Sequence, residues 1–153
     1  MKVRSANDLD FHAQPKLASG IAFVLLVVSA ALAPLAGAKS GEVVRAASGV
    51  TYVTGGIGSE AVDLLKSMEK EFNLKLVFAT TAVAYVSDVK VRIVNAGGDA
   101  VLDAMSEGPL LMANLPAGVY QVNATLGGHL ERRKITVAAN KLMTVDFRWP
   151  AAN

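Results

Sequence analysis

The sequence predicts a mainly β fold: a Greek-key sandwich of about seven strands with one N-terminal amphipathic helix. Three observations predict it. Leu115-Pro116-Ala117-Gly118 is a turn followed by strict alternation, with Tyr120, Val122 and Ala124 on one face. Pro116 presets φ near about −65° and Gly118 permits φ > 0, so the pair suits a chain reversal before a half-buried strand. Short alternating runs from Leu74 to Trp149 are separated by Gly, Pro and Asn turns at intervals of about ten residues, the rhythm of a sandwich. A single helical stripe precedes them and needs a sheet to cover.

Taken in order, the chain begins with Lys2, Arg4 and Lys16, then an apolar run from Leu17 to Leu35, then Ala36-Gly37-Ala38. A basic region, an apolar region and a small-x-small site predict a signal peptide over 1–38 and a mature start at Lys39. The run of 19 residues is also long enough to cross a bilayer, so the alternative is an inner-membrane anchor over 17–35 with the domain in the periplasm. Gly20, Ser29 and Pro34 weaken a permanent span. Either way the segment after residue 38 is translocated, and the expected location is periplasmic or secreted. A membrane is a partner only if the leader is retained.

Residues 39–49 show no period and read as a mobile arm. Residues 50–73 read as a strand plus a helix. Val50–Val53 is a strand candidate stopped by Gly55-Gly56-Ile57-Gly58, and Ser59 reads as an N-cap. Ala61, Leu64, Leu65, Met68 and Phe72 form one helical stripe. Glu60 and Asp63 in the first turn and Lys70 in the last suit the macrodipole. Asn73 fits a left-handed C-terminal position.

Residues 74–149 read as the sandwich. Leu74–Ala79 is a strand, and Val89, Val91 and Ile93 alternate with Lys90 and Arg92. Asn95-Ala96-Gly97-Gly98-Asp99 turns the chain into a strand containing Val101 and Met105. Gly108-Pro109 breaks that strand before Leu110–Met112. After the Tyr120 strand, Gly127-Gly128 leads into Leu130–Val137. Met143, Val145, Phe147 and Trp149 alternate to close the chain.

Composition narrows the chemistry. The chain has no cysteine, which excludes a disulfide framework, thiolate metal sites, a thiol nucleophile and a lipidated cysteine. Removing the leader leaves 115 of the 153 residues, with twelve of the fifteen Lys and Arg and eleven of the thirteen acids. A net charge of about +1 makes no general electrostatic case for nucleic acid or an anionic membrane.

Four local patterns have both a functional and a plainer explanation. Gly56-Ile57-Gly58-Ser59-Glu60-Ala61 fits a dinucleotide fingerprint formally, but no acid follows near Ala79, and Glu60 opposes a phosphate at the helix start. A flexible loop into a capped helix explains it. His129 follows Gly127-Gly128 without a companion for acid–base work, so it reads as a solvent-facing turn residue. Arg132-Arg133-Lys134 reads as an edge strand blunted by charge, because alternation sends neighbours to opposite faces. Phe72, Tyr120 and Phe147 have core parity, whereas Tyr52, Tyr85 and Trp149 are candidates for exposure. Tyr85 and Trp149 are the candidate ligand-binding residues, and the irregular segment Thr80–Val86 is the favoured binding loop.

Ser87-Asp88-Val89-Lys90-Val91, Asn95-Ala96-Gly97-Gly98, Ser106-Glu107-Gly108-Pro109 and Leu115-Pro116-Ala117-Gly118-Val119-Tyr120 together resemble a carboxypeptidase regulatory-like domain of the prealbumin-like (transthyretin-like) sandwich type, in small exported proteobacterial proteins. The resemblance covers residues 74–149, and the helix is outside its minimal pattern. It makes Leu115, Pro116, Gly118 and Tyr120 the structural motif. It implies a non-enzymatic accessory or interaction module, with an unidentified protein or glycan of the cell envelope as partner. A carbohydrate- or peptide-binding periplasmic module is the alternative. Enzymatic relatives draw on several histidines, or end in Tyr-Arg-Gly-Ser where this chain has Phe147-Arg148-Trp149-Pro150. The expectation is therefore no catalytic residue, no cofactor and no metal.

Overall fold

The structure, a computed structural model, describes residues 40–151. The expected signal peptide over 1–38 lies outside the described residues. Among the described residues nine strands form two sheets. In chain order they are β1 (Val44–Arg45), β2 (Thr51–Gly55), β3 (Leu74–Thr80), β4 (Val89–Asn95), β5 (Ala100–Ser106), β6 (Leu110–Asn114), β7 (Gly118–Leu126), β8 (His129–Val137) and β9 (Met143–Trp149). One sheet has the order β1-β2-β6-β3-β9 and the other β5-β4-β7-β8. All pairings are antiparallel except β3 with β9, whose register runs from Leu74 opposite Met143 to Thr80 opposite Trp149.

The seven strands expected between residues 74 and 149 are all present, as β3 to β9. Two more join them. Thr51–Gly55 pairs along its length with β6, so the strand assigned to a separate N-terminal part is an integral member of the larger sheet. Val44–Arg45, inside the segment read as an arm, turns back on β2, with the Ala46 N–H donating to the Val50 carbonyl at 2.7 Å. The Ser48 hydroxyl reaches the Val101 carbonyl at 2.5 Å, which ties this segment to the edge strand β5.

Alternation decides the core. Leu74, Leu76 and Phe78 of β3 meet Val89, Val91 and Ile93 of β4 and Tyr120, Val122 and Ala124 of β7 between the sheets. Phe78, Phe147 and Trp149 form an aromatic group with ring centroids 6.0–6.3 Å apart. Arg133 has the inward parity of β8, and its guanidinium lies 5.7 Å from the Phe147 ring centroid, capping the open side of the core. Arg132 and Lys134 point away, so the basic run is split between faces as alternation requires, on a strand that is indeed an edge.

Helix α1 (Ser59–Met68) and a 3-10 turn over Glu69–Glu71 cover the outer face of the larger sheet. Leu65 and Phe72 pack there with Val53 of β2 and Met112 of β6, making a third layer. Four expectations are corrected. Gly58, with φ 88°, is the N-cap, and Ser59 is the first helical residue with no side-chain cap. Leu64 is 48 % exposed, because the inward line is Ala61, Leu65 and Met68. Phe72 is already extended, with φ −125°, because the 3-10 turn tightens the helix exit. Asn73 is not left-handed; it is buried and acts as a tie between segments. Its side-chain amide donates to the Leu115 carbonyl at 2.6 Å, and its side-chain oxygen accepts from the Leu115 N–H at 2.9 Å. Its own carbonyl accepts from Met143 at 2.9 Å, so one side chain and backbone unit joins three loops.

Gly118 is also corrected. It already lies in the β7 ladder opposite Val137 and does not have positive φ, so Pro116 and Ala117 complete the reversal before it. Tyr120 is buried, as its parity predicts, and its hydroxyl also donates to the Pro116 carbonyl at 2.7 Å, which holds the turn. This is the logic of a tyrosine corner.

Candidate functional site

Strand directions bring the Gly56–Gly58 loop, the 81–88 loop and the Glu107-Gly108-Pro109 turn to one end of the sandwich. Close approach fixes that end. Gly108 packs on the backbone of Gly55, and an added Cβ would overlap the Gly55 carbonyl. Thr54 and Ser106 hydroxyls lie 3.1 Å apart and are buried. Ser106 donates to the Gly108 carbonyl, and Thr54 accepts from the Glu107 N–H at 3.0 Å. Both hydroxyls are consumed in holding the corner, and neither is paired with a base.

The 81–88 loop is pinned by Thr80. Its N–H donates to the Ala84 carbonyl at 2.7 Å, and its hydroxyl accepts from the Ala84 N–H at 3.2 Å. Tyr85 forms an isolated bridge opposite Ala79, which sets its ring outward. Two residues of this loop are left-handed without being glycine: Val83 at φ 65° and Asp88 at φ 58°. For a β-branched residue that conformation is strained, at a cost of about 1–3 kcal/mol. A cleft of about 330 Å³ opens between the two loops, lined by Ile57, Gly58, Tyr85, Val86 and Pro109.

The apolar side chains here are turned to solvent. Ile57 is 65 % exposed, Val83 68 % and Tyr85 70 %. Tyr85 is the one exposed aromatic among the described residues; Tyr52, Phe72, Phe78, Tyr120, Phe147 and Trp149 are buried. Two sequence expectations are corrected here. Trp149 is a core group, and its indole N–H donates to the His129 carbonyl at 3.0 Å, so it presents no face to a ligand. Tyr52 is buried as well, and burial, with Glu107 nearby, pushes its hydroxyl pKa up. The irregularity of Thr80–Val86 pointed to Tyr85; Ile57 and Val83 were missed. Gly-Ile-Gly was the available signal for Ile57, since an apolar residue between two turn glycines has no element to bury it.

His129 opens β8 and is exposed, as expected. The Gly56–Ala61 pattern lies between a strand and a helix, but β2 is antiparallel to both neighbours, unlike a dinucleotide βαβ unit. Among the described residues, no group of three or more His, Cys, Asp or Glu is gathered as a metal cluster. No described helix is long and apolar enough to cross a membrane.

These features define a class, a helix-backed two-sheet β-sandwich that exposes an apolar loop end. No family model matches the chain, and no curated protein matches it.

Proposed function

We propose that the chain is a non-enzymatic exported accessory or interaction module on a carboxypeptidase regulatory-like, prealbumin-like Greek-key sandwich. The connections support the Greek-key reading: the chain changes sheet from β3 to β4, β5 to β6, β6 to β7 and β8 to β9. One observation carries the functional reading. A fold that buries the other aromatics among the described residues sets Tyr85, with Ile57 and Val83, outward at one end, on a loop held in a strained conformation. Exposed apolar side chains around a tyrosine suit a protein or peptide contact. A glycan site would group several ring faces, and a single ring between aliphatic side chains favours peptide over carbohydrate.

Peptide and glycan arrays probed with the wild-type chain and with Ile57→Ser and Tyr85→Ser test this. We expect retention on apolar peptides that falls at least about thirtyfold in both variants, the scale of an interface hot spot. Glycan retention that disappears with Tyr85→Ser would replace the reading with the carbohydrate-binding alternative. Peptide retention unchanged in both variants would remove the loop end from consideration.

A further inference from the structure

The net charge of +2 over the sequence is small, but the fold gathers like charges on one face. Among the described residues no element packs on the outer face of the β5-β4-β7-β8 sheet, and its register sets side chains in rungs. Met105, Lys90, Thr125 and Leu130 form one; Asp103, Arg92, Asn123 and Arg132 form the next; Val94, Gln121 and Lys134 extend it. Two basic columns, Lys90 with Arg92 and Arg132 with Lys134, flank the polar column of β7. Strand spacing puts those columns about 10 Å apart. Asp103 is the acid on these rungs, and its contact with Arg92 is an exposed pair at 3.4 Å. Among the described residues, Lys90, Arg132 and Lys134 form no ion pair. The far side of the molecule has no such surplus: the helix layer carries Glu60, Asp63, Glu69 and Glu71 with Lys66 and Lys70, and Lys75 of β3 pairs with Glu69.

We propose that this sheet face docks on an anionic lipid bilayer. A plane of negative charge attracts the basic face and finds no cationic surplus on the helix layer, which orients the molecule as well as holding it. The face is the outer surface of a four-stranded sheet. Its first rung also offers exposed apolar side chains at headgroup depth, with Met105 51 % and Leu130 44 % exposed. An acidic glycan would find no aromatic ring here to stack on. The inference uses neither the Tyr85 end nor its partner, so either proposal can fail without the other.

The absence of cysteine makes the test direct, since one introduced thiol labels one place. The processed chain starting at Lys39, carrying Thr125→Cys on the basic face or Ser67→Cys on the helix, is labelled with an environment-sensitive fluorophore and mixed with vesicles, so that the apolar run over 17–35 does not itself bind lipid. The vesicles are phosphatidylcholine alone or phosphatidylcholine with phosphatidylglycerol. The expected result is a blue shift and shielding from an aqueous quencher at position 125 only, only with the anionic lipid, and reversed by high salt. Neutralising Lys90→Gln or Arg132→Gln is expected to weaken the response about fivefold each, the effect of one basic residue at an anionic surface. Lys90→Arg and Arg132→Lys should preserve it, which separates charge from folding. Equal signals at 67 and 125, or no dependence on anionic lipid or on these charges, would overturn the proposal. A shift produced by an acidic polysaccharide and not by vesicles would overturn it in favour of a glycan.

Discussion

Tyr120 joins packing to chain reversal, since the same residue fills the core and closes the turn through Pro116. Tyr120→Phe keeps the ring and loses the hydrogen bond, so it should cost about 1 kcal/mol in a thermal or denaturant melt. Tyr120→Ala empties the site and should cost about 3 kcal/mol or more. Gly118 should behave differently. A Cβ there would sit 3.7 Å from the Tyr120 ring, an ordinary contact, so Gly118→Ala should be neutral or stabilising by about 0.4–1 kcal/mol. Burial pushes the hydroxyl pKa values of Tyr52 and Tyr120 above the ordinary 10.0. The folded chain therefore keeps protons that the unfolded chain loses above that pH. This contribution is complete below about pH 10 and declines as pH rises toward the folded values. A pH series of melts should show that alkaline loss, reduced in Tyr120→Phe. His129→Ala should leave stability within about 0.5 kcal/mol, because its contact with Trp149 uses the backbone carbonyl. A large loss would give the imidazole a role that its exposure does not suggest.

At the level of elements, the helix is held by few buried side chains, and Leu65 is the most enclosed of those within it. Leu65→Ala should cost about 2–5 kcal/mol. Because α1 lies outside the two-sheet core, amide exchange in that variant should rise in α1 and on β2 before it rises in β4 and β7. Leu64→Ala, one position away on an exposed side, should be nearly neutral; equal effects of the two would mean that the helix face is wrongly assigned. The edge strand β8 shows how an element can serve two purposes. Arg133 turns inward to cap Phe147, while Arg132 and Lys134 keep the other face charged, which blunts edge pairing.

For the whole molecule, export is expected to remove residues 1–38, and the intact mass of the periplasmic protein should correspond to a start at Lys39; recovery of a species retaining Leu17–Leu35 in the membrane fraction would establish the anchored alternative. The sequence by itself determined the two-sheet class, the strand series from Leu74 to Trp149 and the inward parity of Tyr120, Val122 and Phe147. Alternation and turn chemistry act over a few neighbouring residues, so they can be read from a single chain. Tertiary structure alone decided which strands lie side by side, and so which side chains share a face. Lys90 and Arg92 join Arg132 and Lys134 only through the β4-β7-β8 register. Parity was legible for Phe147 but not sufficient for Trp149, because its burial depends on the neighbouring sheet as well as on β9. Asn73 looked like a local helix stop, but its carbonyl and amide are taken up by loops distant in sequence. Of the candidate end, Tyr85 was visible as an irregular loop residue, while Ile57 became its neighbour only when antiparallel pairing brought β2, β3 and β6 together. The physical reason is range: dihedral preference and periodicity are local, whereas burial and the composition of a face depend on contacts between residues far apart in the chain.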